Sequence, residues 1–252
     1  MGANGKVTAA STGGILIVKM ENPPANALSE EVLRGLEQSF QRVSSDDVAA
    51  VVLAGSGCFS AGADLVHLIK HDAEQNARYF DWLYRVLQAV ENCPHPVLAV
   101  ISGYALGAGL ELALCADLRV MEETARVGAT GVNLGLVFCT QRLPRLIGVS
   151  RAREMLMTGR HINPVEAERM GLVHYVCPDG CGLQTARRLA NLIGEKSGES
   201  ETRIKRVMSQ SRDLALDDGL ELERLELQMA LTSQAFKERL EGFFAQRETK
   251  TH

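Results

Sequence analysis

Ser60-Ala61-Gly62-Ala63-Asp64 and, further along, Gly103-Tyr104-Ala105-Leu106-Gly107-Ala108-Gly109-Leu110-Glu111 are the stretches whose residue types can do chemistry. Each is a turn of small residues that follows an apolar, strand-like run and opens toward a helix. Small side chains at such turns leave backbone N–H groups bare, facing whatever sits in front of them. Two such turns can aim two N–H groups at one carbonyl oxygen, which is how an oxyanion hole is built. Glu111 lies just past the second turn, where a carboxylate can move protons beside that carbonyl. Its neighbours Leu110, Leu112, Ala113 and Leu114 are apolar, so the carboxylate belongs in a cleft or in the interior. A buried carboxylate is costly and is kept for a partner or a function.

Other candidates are weaker. Asp64 reads better as the N-cap of the following helix than as an acid. Asp117 reads as a member of a structural network with Arg119 or Arg142. Cys139 has neither a histidine near it in sequence nor an activating motif, so a nucleophilic role is disfavoured. The six cysteines, 58, 93, 115, 139, 177 and 181, contain no CxxC pair. They read as reduced thiols, with no disulfide framework and no metal site. His67 and His71 can share a helix face, but no HxH or HExxH pattern exists, and they read as solvated. Gly107-Ala108-Gly109 lacks the third glycine of a dinucleotide fingerprint.

These residues need elements to hold them. Ile15 to Met20, Ala50 to Ala54 and Val97 to Ile101 are continuous apolar runs, as in strands covered on both faces. The last two feed the two turns. Ser29 caps a helix with Glu30 and Glu31 in its first turn. Tyr79, Phe80, Leu83, Val86, Leu87 and Val90 mark an amphipathic helix. Leu110 to Ala116 reads as a central helix and Leu118 to Met121 as a strand. Ser150 is expected to cap a helix ending at Gly159, Pro164 to open the next, and Leu172 to Val176 to form a last strand. Met1 to Thr12 reads as a loose lead-in without the apolar core of a secretory signal.

The chain has 252 residues, 46% hydrophobic and 23% charged, with a net charge of −4. That is ordinary for a globular protein and gives no basic surface for nucleic acid or anionic membrane. No apolar run is long enough to span a bilayer, and a cytoplasmic location is expected. Composition shifts near residue 180, giving an α/β core over 1–180 and a helical region over 181–252. The leucines of that region need a surface to cover them.

In order along the chain, Phe-Ser-Ala-Gly-Ala-Asp and Gly-Tyr-Ala-Leu-Gly-Ala-Gly-Leu-Glu-Leu-Ala closely resemble the crotonase superfamily of enoyl-CoA hydratases and isomerases. Cys115-Ala116-Asp117-Leu118-Arg119, Asn133-Leu134-Gly135, Thr140-Gln141-Arg142-Leu143, Thr158-Gly159-Arg160 and Ala167 to Val173 extend the likeness over nearly the whole chain. The resemblance implies an α/β, crotonase-like spiral of ββα turns with a helical C-terminal trimerisation region. It implies a homotrimer or dimer of trimers acting on an acyl-CoA thioester, as in fatty acid metabolism, without metal or cofactor beyond the coenzyme A of the substrate. By position, the Ala63 and Ala108 N–H groups would hold the thioester carbonyl, and Glu111 would be the acid/base. Ala61, Gly62, Asp64, Leu65, Gly107, Gly131 and Phe138 would line the substrate.

The chain also departs from the pattern. Hydratases of the family carry a second glutamate two residues before the Asn of the N-L-G element, and that position is Gly131. The Gly-rich loop before T-Q-R-L is shortened to Phe138-Cys139-Thr140. The lysine often found near the CoA phosphates is Val66, and Ala108 replaces a usual glycine. One reading keeps Glu111 as sole acid/base for hydration or double-bond migration. Another uses the enolate site for decarboxylation or thioester hydrolysis, with Phe138 and Cys139 shaping a new acyl pocket. A third is a degenerate acyl-CoA-binding protein.

Overall fold

The computed structural model describes residues 6–41, 43, 48–196 and 199–249. The chain divides into two units, Met1–Ala190 and Asn191–His252. In the first, the elements run β1 (Val7–Thr12), β2 (Ile15–Met20), α1 (Glu30–Gln41), β3 (Ala50–Gly55), α2 (Leu65–Lys70), α3 (Ala73–Glu91), β4 (Val97–Ile101), β5 (Tyr104–Leu106), α4 (Ala108–Leu114), β6 (Leu118–Glu122) and β7 (Arg126–Gly128). A 3₁₀ turn at Thr130–Leu134, α5 (Arg142–Ile147), α6 (Val149–Thr158), α7 (Pro164–Arg169), β8 (Tyr175–Cys177) and α8 (Gly182–Gly194) follow, α8 running across the boundary.

The main sheet has the order β1-β2-β3-β4-β6-β8. Its first pair is antiparallel and all later pairs are parallel. Every residue of β4 is buried, as are the first five of β3, which accounts for their unbroken apolar sequences. A second row of extended chain runs beside this sheet. Leu28 bridges Ala63, Ser60 bridges Ala105, and β5 pairs with β7, all in parallel. β2, β3, β4 and β6 are thus each followed by a short piece in the second row before helices return the chain. The result is a spiral of ββα turns, and its second row contains both small-residue turns.

Two expectations need correction. The stretch expected as a loose lead-in contains β1, paired with β2 from Val7 to Met20 through Thr12 to Ile15. Its small and polar residues suit an edge strand with one face in water, and hide it from an apolar pattern. Gly13 and Gly14, with φ of +59° and +75°, supply the tight hairpin turn. Ser150 lies inside α6, whose N-cap is Gly148.

The second unit carries the end of α8, then α9 (Glu199–Ser211), α10 (Leu216–Leu231) and α11 (Gln234–Thr249). Arg203 and Arg206 of α9 both pair with Glu226 of α10. Neither α9 nor α10 has a fully buried residue, and Leu216, Leu220, Leu227, Met229, Phe243 and Phe244 are exposed.

Candidate active site

The two turns are stitched together by backbone hydrogen bonds. The Ser60 N–H donates to the Tyr104 carbonyl at 2.8 Å, and the Leu106 N–H to the Ser60 carbonyl at 3.0 Å. Phe59 and Leu110, both fully buried, seat them on the common core. Burial of side chains of that size contributes about 1.5–3 kcal/mol each. Glycine is required at two close approaches. A Cβ on Gly109 would lie 2.4 Å from the Ser60 carbonyl oxygen, and one on Gly62 would lie 2.7 Å from the Leu106 oxygen and 3.4 Å from the Ala108 nitrogen. Gly62 also has φ of +109°. The first turn therefore lies directly against the start of α4.

Side chains fix the first turn from behind. Tyr79 of α3 donates from its hydroxyl to the Leu28 carbonyl at 2.7 Å and accepts from the Asp64 N–H at 3.0 Å. Burial pushes the Tyr79 hydroxyl up to about 12, so it stays protonated and can hold both partners. Ser60 Oγ donates to the Asn26 carbonyl and accepts from the Gly62 N–H. The sequence marked Tyr79 only as part of an apolar helix face. A tyrosine on such a face is a signal in itself, because its hydroxyl needs a partner when buried.

The N–H groups of Ala63 and Ala108 have no acceptor among the described residues. Between the turns lies a cavity of about 110 Å³, lined by Ala61, Gly62, Ala63, Leu65, Gly107, Ala108, Gly131 and Phe138 among others. Eight of the ten residues picked from sequence therefore converge on one small space. Asp64 and Glu111 are outside that lining. Asp64 caps α2, its carboxylate accepting from the Val66 and His67 N–H groups at 3.0 and 3.2 Å. A second, larger and mostly apolar cavity of about 450 Å³ shares Gly107, Gly131, Leu136 and Phe138 with the first. Its other walls come from α5 and α6, including Pro144, Ala152 and Leu156.

Glu111 is 3% exposed and is not alone. Its Oε1 accepts from Arg142 Nη1 at 2.6 Å, and Arg142 Nη2 donates to Glu91 Oε2 at 2.6 Å. Among the described residues, Glu111 Oε2 and Arg142 Nε are buried without a hydrogen-bond partner. Burial works against the Arg142 cation, yet hydrogen bonds to Glu91 and Glu111 hold the guanidinium above its ordinary value. Removing one member of such a buried pair typically costs about 3–5 kcal/mol, because the survivor is left uncompensated. Of the two arginines expected beside Asp117, Arg119 feels its charge, whereas Arg142 pairs with the glutamates. Asp117 accepts from the Val97 N–H, and Arg119 donates to the carbonyls of Leu172 and Ala116.

Cys139 sits beside Glu111 with φ of +61°, its Sγ 3.5 Å from the Gly107 carbonyl. Burial, and then the Glu111 carboxylate, push its thiol well above the usual range, which disfavours a thiolate nucleophile. Phe138 packs near Tyr84 and Phe80, with ring centroids 5.3 and 6.2 Å away. His67 and His71 are half-buried, where fully solvated rings were expected. Their rings stack at 4.0 Å, and His67 also stacks on Tyr79 at 4.7 Å. Among the described residues no group of three or more His, Cys, Asp or Glu side chains can hold a metal ion, and no helix is long and apolar enough to cross a membrane.

A family model described as enoyl-CoA hydratase/isomerase matches residues 10–251. The chain belongs to this family. It is a member of the crotonase superfamily and an enoyl-CoA hydratase/isomerase-type acyl-CoA enzyme. A putative enoyl-CoA hydratase of Thermus thermophilus is 35% identical over 243 residues, covering 93% of this chain and 96% of that one. The putative enoyl-CoA hydratase/isomerase YngF of Bacillus subtilis is 34% identical over 234 residues, 90% of each chain. Among solved structures, an enoyl-CoA hydratase from Bacillus anthracis superposes with a TM-score of 0.91 at 32% identity, covering 97% of both chains. Pseudomonas aeruginosa DspI superposes with a TM-score of 0.92 at 30% identity, covering 96% of this chain and 94% of that one.

Proposed function

We propose that this enzyme binds an acyl-CoA thioester with its carbonyl oxygen between the Ala63 and Ala108 N–H groups. They stabilise the enolate-like charge that develops when a proton is taken from the acyl chain or when water adds to its double bond, and that is discharged when carbon is protonated. The observation that supports this reading is that Ala63 and Ala108, whose N–H groups have no acceptor among the described residues, line one cavity, Ala108 at the start of a helix. Donors fixed by tertiary packing need no reorganisation as charge develops, and each is worth about 10²–10³ in rate. Glu111 is the acid/base. Arg142 holds its Oε1, which leaves Oε2 as the atom that exchanges the proton. Coenzyme A enters as part of the substrate, and no metal or redox cofactor takes part.

Gly131 and the shortened Phe138-Cys139-Thr140 segment bear on the reaction. Gly131 lines the cavity at the position where a second glutamate would hold the attacking water. Hydration is therefore slow relative to a two-glutamate enzyme, and double-bond migration with Glu111 as proton carrier is favoured. A second reading has its own support. Glu111 lines neither cavity, and the Arg142 clamp occupies one of its oxygens. On that reading the enolate site serves decarboxylation or thioester hydrolysis, and Phe138 and Cys139 shape the acyl pocket.

A product screen by mass spectrometry over enoyl-, malonyl- and hydroxyacyl-CoA substrates separates these outcomes. Isomerised or hydrated enoyl-CoA supports the first reading, and loss of carbon dioxide or free CoA supports the second. No turnover together with tight binding would leave an acyl-CoA-binding protein. The exposed leucines and phenylalanines of α10 and α11 fit burial between copies in a trimer or dimer of trimers. A monodisperse monomer in light scattering would exclude that assembly.

A further inference from the structure

Glu91 is the last residue of α3, and Arg142 is the first residue of α5. Both charges are at the wrong end of their helices. An anion is unfavourable near a helix C-terminus and a cation near an N-terminus. Helix stability therefore explains neither residue. Both side chains are also largely withdrawn from water, where ion pairs repay their desolvation only with good geometry. Local rules broken in this way are characteristic of sites maintained for function.

The geometry is specific. Arg142 spends one terminal nitrogen on each carboxylate, both at 2.6 Å, and only Oε1 of Glu111 is held. The guanidinium plane is rigid, so anchoring Nη2 to Glu91 fixes where Nη1 points. That in turn fixes the Glu111 carboxylate and leaves Oε2 bare. We propose that Arg142 is a positioning residue for Glu111 and that Glu91 is the second arm of the clamp. The inference rests on the reading of Glu111 as the acid/base. Arg142 neither lines a cavity nor exchanges the proton; it holds the carboxylate that does.

The test uses the intact protein with crotonyl-CoA for hydration and vinylacetyl-CoA for double-bond migration. Arg142→Gln should lower kcat by about 10²-fold with KM nearly unchanged, because orientation rather than substrate contact is lost. Arg142→Lys keeps the charge without the fork and should recover about tenfold of that loss. Glu91→Gln should lower kcat by a few-fold. The double variant Glu111→Gln/Arg142→Gln should be no slower than Glu111→Gln alone, since the two act as one unit. A lower melting temperature is expected on either role, since a buried partner is left uncompensated; a merely structural role would reduce only the fraction of active enzyme, leaving kcat per active site unchanged and adding to the Glu111→Gln loss. Full activity in folded Arg142→Gln and Glu91→Gln, with Glu111→Gln inactive, would overturn the clamp and leave the acid/base reading standing. Full activity in Glu111→Gln, or no turnover of either substrate by the unmodified enzyme, would overturn both.

Discussion

The two halves of the site are built from different materials. On the proposed carbonyl side, the groups are the backbone N–H donors of Ala63 and Ala108, on turns placed by parallel bridges and by glycines that let one turn touch the next. On the proposed proton-transfer side, the groups are side chains: Glu111, Arg142, Glu91, and the Gly131 and Phe138-Cys139 segment. A backbone donor survives a change of side chain, so any residue but proline at position 108 keeps the N–H. A side-chain site changes its chemistry with each substitution, and here one carboxylate position is empty of any side chain. On the proposed reading, one fold can preserve enolate stabilisation while its proton chemistry changes.

The strongest test of this division falls on the side-chain half. Glu111→Gln keeps shape and hydrogen-bonding capacity but cannot carry a proton. It should cut turnover by about 10²–10⁴-fold while leaving acyl-CoA binding nearly intact, measured by steady-state kinetics beside titration calorimetry. Unchanged turnover would show that the proton work lies elsewhere and would favour the pocket reading built on Phe138 and Cys139.

The backbone half is broken by Ala108→Pro. Proline is tolerated at the first helical position, so α4 should form, but the donor is gone. Loss of one such donor should lower kcat by about 10²–10³-fold, with circular dichroism unchanged. Turnover equal to the unmodified enzyme would remove Ala108 from the oxyanion site.

The comparison can also be sharpened by a gain. Gly131→Glu restores a carboxylate at the water position. Its Cβ would lie 3.2 Å from the Leu136 carbonyl oxygen, so a small shift is needed, and Gly131 is not among the residues with positive φ. Crotonyl-CoA hydration should rise by about tenfold if the shortened segment admits water, a modest share of the usual acid/base effect. A wild-type hydration rate matching a two-glutamate enzyme would sink the argument about Gly131.

The smallest effect is expected outside both halves. Val66 is 59% exposed on α2, at the position where the family resemblance implies a lysine toward the CoA phosphates. Val66→Lys should tighten CoA binding by a few-fold, and more at low salt, as an exposed charge pair is worth about 1 kcal/mol or less. Salt-independent affinity would show that this face does not meet the phosphates.

Much of this protein was legible in the chain itself. The apolar runs at Ala50–Ala54 and Val97–Ile101 marked central strands, because a parallel strand buried on both faces has no polar positions to lose. Gly62, Gly107 and Gly109 marked turns that only small residues can make, and eight of the selected residues do surround one cavity. Local rules also settled the Asp64 cap and the Gly159 helix end, since both depend on neighbours a few residues away. What the sequence could not hold is the partnership of distant charges. Glu111 and Arg142 are 31 residues apart and Glu91 and Arg142 are 51 apart, so nothing in local spacing announces the clamp. Likewise β1 carries too little apolar character to declare itself, and only its pairing with β2 makes it a strand. Folding decides these features because they depend on which surfaces the spiral brings within hydrogen-bonding distance, and that distance exists only once the turns are stacked.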